Sequence, residues 1–193
     1  HLGIYDIPMM SNIPNLVYLA PTTYEEYIAM LDWSTEQREH PVAIRVPGAV
    51  IHGEKPTKDY GILNKYETVQ KGSGAAIIAL GTFFGMGKQA AELIEKKTGV
   101  KPTLIDPVYI TGIDEELLES LKKNHKAVVT LEDGILDGGF GEKIARFYGD
   151  SDMRTVNFGL KKEFLDRYDA NEVLRQNGIT PEQIADRAAE LIK

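Results

Sequence analysis

An α/β fold built on a mostly parallel sheet is predicted by three features of this 193-residue sequence. Short, nearly continuous apolar runs recur at the length of buried strands. Longer amphipathic stretches with helix-capping residues at their starts lie between them. The two kinds alternate, and strands covered on both faces by helices mark a parallel sheet. Hydrophobic residues make up 42% of the chain and charged residues 26%, which is enough apolar material for a real core.

Leu16–Ala20 reads as the first buried strand, followed by Pro21 and two overlapping capping boxes, Thr22 with Glu25 and Thr23 with Glu26. The helix they open sets Tyr24, Tyr27, Ile28 and Leu31 on one face at 3–4-residue spacing. Val42–Val46 is the next strand, and this unit closes at Pro47. Residues 48–74 read as a connection, with Pro56, several glycines and a short strand around Lys65–Val69.

A fuller series follows: strand Ala75–Leu80, helix Met86–Lys97, strand Thr103–Ile105, helix Asp114–Asn124, strand Ala127–Leu131, helix Gly139–Tyr148 and strand Thr155–Phe158. The Asp114–Asn124 helix carries acids at its start and lysines at its end, as the helix dipole favours. A helix at Asn171–Gln176 stops at Gly178, and Thr180-Pro181-Glu182-Gln183 opens the last one. The expected division is therefore 1–50 as the end of one α/β domain, 51–74 as a linker and 75–193 as a complete α/β domain. Residues 1–47 hold about two strands, too few to bury both faces of a parallel sheet. The missing strands are expected from an upstream segment, or this first part is held by another chain.

The net charge is −7 and the lysines and arginines are scattered, so neither nucleic acid nor an anionic membrane surface is an expected partner. With no cysteine, thiolate catalysis, disulfides and cysteine-ligated metal are excluded. No apolar run approaches the roughly 20 residues that span a bilayer. The opening has neither the basic start nor the apolar stretch of a signal peptide, and a cytoplasmic protein is expected. It also lacks an initiator methionine, which points to a piece of a longer polypeptide.

Gly81–Gly87 joins a strand to a helix, where free backbone N–H groups can hold a phosphate. No Gly-Lys-Ser/Thr follows it and the spacing is not that of a dinucleotide fingerprint, so a tight turn is the preferred reading. Glu132-Asp133, with Gly138-Gly139 beyond, falls at the end of a buried strand, where such folds bind ligands. The acids suit helix capping or interface ion pairs better than catalysis. His1, His40, His52 and His125 have no metal-ligand spacing, so no metal site is expected; the last three are expected to be solvated. There is no Gly-x-Ser-x-Gly elbow for acyl transfer.

His1-Leu2-Gly3-Ile4-Tyr5-Asp6, then Ile13-Pro14-Asn15 and Val17–Pro21, resembles the pyrimidine-binding domain of the 1-deoxy-D-xylulose-5-phosphate synthase branch of the transketolase superfamily. Val128–Asp133 with Gly138–Gly141, Phe158-Gly159-Leu160 with Phe164, and Gly178-Ile179-Thr180 resemble its C-terminal domain in the same order. The resemblance implies the end of a pyrimidine-binding domain followed by a whole transketolase C-terminal domain. For the full-length enzyme it implies thiamine diphosphate, Mg²⁺ and a homodimer. It also implies carboligation of pyruvate with D-glyceraldehyde 3-phosphate, toward isoprenoid and thiamine precursors.

The Gly-Asp-Gly motif for metal and diphosphate, and the glutamate that activates the aminopyrimidine, are absent. No cofactor is expected on this piece, which should be inactive without the N-terminal domains. By the same resemblance His1 is the catalytic histidine, and Arg45 matches the first arginine of the family's Arg-x-Pro-Arg-Gly segment, a weak substrate-binding candidate better suited to an ion pair. Gly48 stands where that segment's second, phosphate-contacting arginine would be. Glycine supplies no charge-assisted contact, which puts the phosphorylated acceptor in question. Two alternatives therefore stand beside the synthase. One is a transketolase-like or 2-oxo-acid dehydrogenase β-type enzyme with another acceptor; the other is a non-catalytic assembly module.

Overall fold

The computed structural model describes residues 3–46 and 48–193, and it opens on a five-residue helix, α1 (Asp6–Met10), that the periodicity does not announce. β1 (Val17–Leu19), α2 (Tyr24–Glu36) and β2 (Val42–Ile44) form the expected strand–helix–strand unit, with β1 and β2 parallel. The start of α2 is set by Thr23, whose hydroxyl accepts from Glu26 N at 3.2 Å. Glu26 reaches back to Thr22, accepting from its backbone N–H at 2.8 Å and its hydroxyl at 3.0 Å.

The buried face of α2 differs from the expected one. Glu26 and Met30 are its buried residues, with Trp33 packed beside Met30's cluster, while Tyr24 is 45% and Leu31 39% exposed. The stripe at Tyr24, Tyr27, Ile28 and Leu31 has the right period but the wrong side. Tyr60 and the β1–β2 sheet cover the Met30–Trp33 side instead.

The second unit is a five-stranded sheet in the order β3-β5-β4-β6-β7. Its strands are β3 (Glu67–Gln70), β4 (Gly74–Ala79), β5 (Thr103–Asp106), β6 (His125–Ile135) and β7 (Arg154–Leu160). All neighbours are parallel except β3, which runs antiparallel to β5 at the edge and lies inside the segment read as a connection. The helices are α3 (Phe84–Thr98), α4 (Glu115–Leu121), α5 (Phe140–Phe147), α6 (Ala170–Gln176) and α7 (Pro181–Ile192).

Alternation along β4 sends Ile77 and Ala79 to a core with α3 and α7, and Ala76 and Ile78 to a core with α4 and α5. Burial on both faces explains why β4 reads as a continuous apolar run. His125 begins β6 and is not solvated as expected. Its ring lies between the Thr103 hydroxyl at 2.8 Å and the Leu121 carbonyl at 3.0 Å, and burial pushes its pKa down.

The two units share apolar contacts. Ile7, Tyr18 and Ala20 sit in the same core as Ile78, Ile105 and Phe140. Residues 108–110 flank β1 on the side away from β2: Ala20 N donates to Val108 O at 2.8 Å and Ile110 N to Tyr18 O at 2.7 Å. This segment supplies part of the sheet that residues 1–47 lack. Val108 holds a φ of 59°, which is costly for a β-branched residue, and its N–H is fixed by Asp106 Oδ1 at 3.0 Å.

Candidate functional site

β6 overruns its pairing with β4 and carries Glu132 and Asp133 to the carboxyl end of the sheet, where they take different roles. Glu132 is fully buried and turns back on the start of α5. Its two oxygens accept from Phe140 N and Gly141 N, each at 2.8 Å. Glycine is needed here because a Cβ on Gly139 would lie 2.6 Å from Glu132 Oε2, and one on Gly141 2.5 Å from the Thr130 hydroxyl. Burial pushes the Glu132 pKa up to about 7, outweighing the two N–H donors that favour its charge. Lys143 lies nearby, donating to Ile110 O at 2.6 Å, and burial lowers its pKa to about 8.

Asp133 points the other way, into a cleft of about 400 Å³. Its carboxylate accepts from the Thr82 hydroxyl at 2.8 Å and pairs with Arg45. Arg45 follows β2, and its Nε donates to Asp6 Oδ2 at 2.7 Å while another nitrogen reaches Gly3 O. All three guanidinium nitrogens are engaged. The Tyr18 hydroxyl closes the network on Asp6.

Burial works against the charge on Asp6, yet hydrogen bonds from Arg45 and Tyr18 hold its pKa below the usual carboxylate range. Burial and the neighbouring Asp6 raise Tyr18, keeping the phenol protonated. Burial opposes the Arg45 charge too, but the carboxylates of Asp6 and Asp133 more than restore it. Arg45 therefore ties the carboxyl end of the small sheet to that of the large one.

Gly48 and Gly81 also line this cleft. The Gly81–Phe83 turn leads into α3, and the Thr82 hydroxyl in it is already bonded to Asp133, whose negative charge opposes a phosphate there. The structure therefore brings Arg45, Gly48 and Asp133 together here, and His1 lies outside the described residues. Sequence reasoning misses Asp6 and Tyr18 as members of this network. They are 39 and 27 positions from Arg45, and no local pattern links them. Among the described residues no group of three or more His, Asp or Glu side chains is placed to hold a metal ion, and no helix is long and apolar enough to cross a membrane.

A family model of the transketolase C-terminal domain matches residues 64–184. The chain belongs to this family. The mostly parallel five-stranded sheet is the fold that goes with it.

Relatives named 1-deoxy-D-xylulose-5-phosphate synthase match more of the chain. That of Clostridium tetani is 30% identical over all of it, and that of Clostridium perfringens strain SM101 32% identical over the same extent. That of Clostridium beijerinckii is 33% identical over 86% of the chain. The chain spans 31%, 31% and 27% of these relatives' own lengths.

Two solved structures share the fold. A split-gene transketolase, described as an inactive β4 tetramer, aligns with 98% of this chain and 62% of its own at a TM-score of 0.80 and 23% identity. A Pichia stipitis transketolase mutant in complex with xylulose 5-phosphate aligns with 98% of this chain and 27% of its own at 0.67 and 18%.

Proposed function

We propose that this chain is the C-terminal portion of a thiamine-diphosphate-dependent transferase, a 1-deoxy-D-xylulose-5-phosphate synthase joining pyruvate to D-glyceraldehyde 3-phosphate. The observation that carries the reading is whole-chain similarity, at 30–32% identity, to relatives of that name. On this reading the chain contributes one wall of the site. The end of the pyrimidine-binding domain lies in 1–50 and the C-terminal domain in 75–193, with β3 extending the latter into the connection.

The cleft does not suit the cofactor's diphosphate by itself. Among the described residues its charged side chains are Asp6, Asp133 and Arg45, and the cation of that set is already paired. Thiamine diphosphate and Mg²⁺ are therefore assigned to the N-terminal domains, and the isolated piece is inactive. Arg45 acts as a positioning residue: held by two carboxylates, it fixes the mouth of the cleft and the backbone leading from β2 toward Gly48. His1 is kept as the catalytic histidine, able to hydrogen-bond substrate oxygens or move a proton near neutral pH. A homodimer in the cytoplasm completes the proposal.

A second reading keeps the cofactor and changes the acceptor. It is favoured by one feature, a cleft with Gly48 and no uncommitted cation among its described residues to meet a phosphate. The complete gene product, given thiamine diphosphate, Mg²⁺, pyruvate and D-glyceraldehyde 3-phosphate, separates the two by mass spectrometry. A deoxypentulose phosphate supports the synthase. Carbon dioxide release without it selects another acceptor. Neither product would remove both pyruvate-dependent readings.

A further inference from the structure

A second cleft, of about 640 Å³, lies between α2, the connection and the β3–β5 edge of the large sheet. It joins groups that are far apart in sequence. Glu26 comes from α2, Lys58 from the connection, Glu67 from β3 and Asp106 from the end of β5; Glu54 and Lys55 also line it. Glu26 and Asp106 are buried at 6% and 4% exposure, an uncommon state for carboxylates.

One oxygen of each is fixed by its own element: Glu26 by Thr22 and Asp106 by the N–H of Val108. The compensating cation is poorly placed. The Lys58 ammonium is 3.6 Å from Glu67, and it is buried without a hydrogen-bond partner, as is the Tyr60 hydroxyl. Among the described residues, Lys55 and Lys58 stand against Glu26, Glu54, Glu67 and Asp106, so the cleft carries an excess of negative charge whenever all are ionised.

We propose that Glu26 and Asp106 form a proton-dependent latch, which fastens the β1–α2–β2 unit to the large sheet while the pair holds a proton and loosens it when that proton is lost. Two buried like charges with one shared counter-ion repel, so a proton retained by the pair is what makes this packing stable. Burial drives both carboxylates above their ordinary pKa, and the charge of Glu26 pushes Asp106 further in the same direction. Lys58 opposes the rise and Glu67 adds to it for both.

The sign follows. Groups whose folded pKa is raised contribute stability fully below the unfolded carboxylate range, and lose it as pH climbs through the folded values. The latch therefore opens on the alkaline side. It acts on the site already described, because Tyr18 and Arg45 ride on the unit that α2 secures.

The chain's one tryptophan, Trp33, reports on this motion from α2, with its ring centroid 6.3 Å from that of Tyr60. Trp33 emission and amide hydrogen exchange in α2 would be followed from about pH 5 to about pH 9, after correction for intrinsic exchange rates. In the unaltered chain both should show one transition above the ordinary carboxylate range, with α2 exchange faster by roughly tenfold on its alkaline side.

Glu26→Gln and Asp106→Asn keep the acceptors for Thr22 and Val108 but cannot ionise, so each should move the transition to lower pH, and the double variant should abolish it. Lys58→Met removes the opposing cation and should move the transition to higher pH. No transition in the unaltered chain, or the same one in Glu26→Gln, overturns the proposal. Should the variants fold poorly, carbon-13 titration of the unaltered chain decides: two buried carboxylates ionising in the ordinary range would also overturn it.

Discussion

Glu132 shows how one side chain can be anchored and still be poised to titrate. Two backbone N–H groups at the start of α5 favour the carboxylate, and burial disfavours it more strongly, leaving its pKa at about 7. A rise from 4.5 to about 7 corresponds to ~3 kcal/mol of folding stability, present below the unfolded pKa and lost as pH rises through 7. Glutamine at this position cannot ionise. Its carbonyl can serve one N–H, but its NH₂ then faces the other, an unmet donor costing about 1–3 kcal/mol. Glu132→Gln should therefore be less stable than the parent near pH 5, with the gap narrowing toward pH 8. Urea midpoints at several pH values would test this, and parallel pH profiles would count against it.

Packing of whole elements turns on a few close approaches. α5 sits on β6 and β7 without room at Gly141, where a Cβ would lie 2.5 Å from the Thr130 hydroxyl and 2.8 Å from Asn157 Cγ. Alanine is favoured over glycine in a helix by ~1 kcal/mol, but overpacking a tight site costs about 1–3 kcal/mol. The clash involves two side chains already bonded to each other at 2.9 Å, so the cost should win. Gly141→Ala is expected to destabilise by about 1–2 kcal/mol, measured by denaturant unfolding; a stabilised variant would show that α5 can shift.

The same scale explains what the sequence could reveal. β4, β5 and β6 were legible because strands buried on both faces need uninterrupted apolar runs, and the last helix because Thr180 and Pro181 mark its start. The inner face of α2 was not, since a polar Glu26 lies inside while Tyr24 and Leu31 lie outside. Periodicity finds a stripe but not what covers it. The Asp6–Tyr18–Arg45–Asp133 network was equally hidden, because its members meet only through the contact between the two units.

At the scale of the whole molecule, that contact decides whether the chain unfolds as one body. Ile7, Tyr18 and Ala20 share a core with the large sheet, residues 108–110 pair with β1, and Arg45 bridges Asp6 of one unit to Asp133 of the other. The Arg45 side chain is only 15% exposed, so this is closer to a buried ion pair than a surface one. Deleting one member of such a pair costs about 3–5 kcal/mol, because the remaining charges stay desolvated.

Here the full cost would fall on the junction. Asp6 and Asp133 would then face each other without a cation across it, while neither unit loses its own apolar core. Trp33 reports the small unit, and far-UV circular dichroism is dominated by the helices and strands of the large one. In the unaltered chain the two signals should give coincident urea transitions near pH 6, the signature of a single cooperative unit. In Arg45→Met the Trp33 transition should come first, at a lower urea concentration than the dichroism change. Coincident transitions in the variant would mean that the shared apolar core alone couples the units, and that Arg45 serves the cleft rather than the fold.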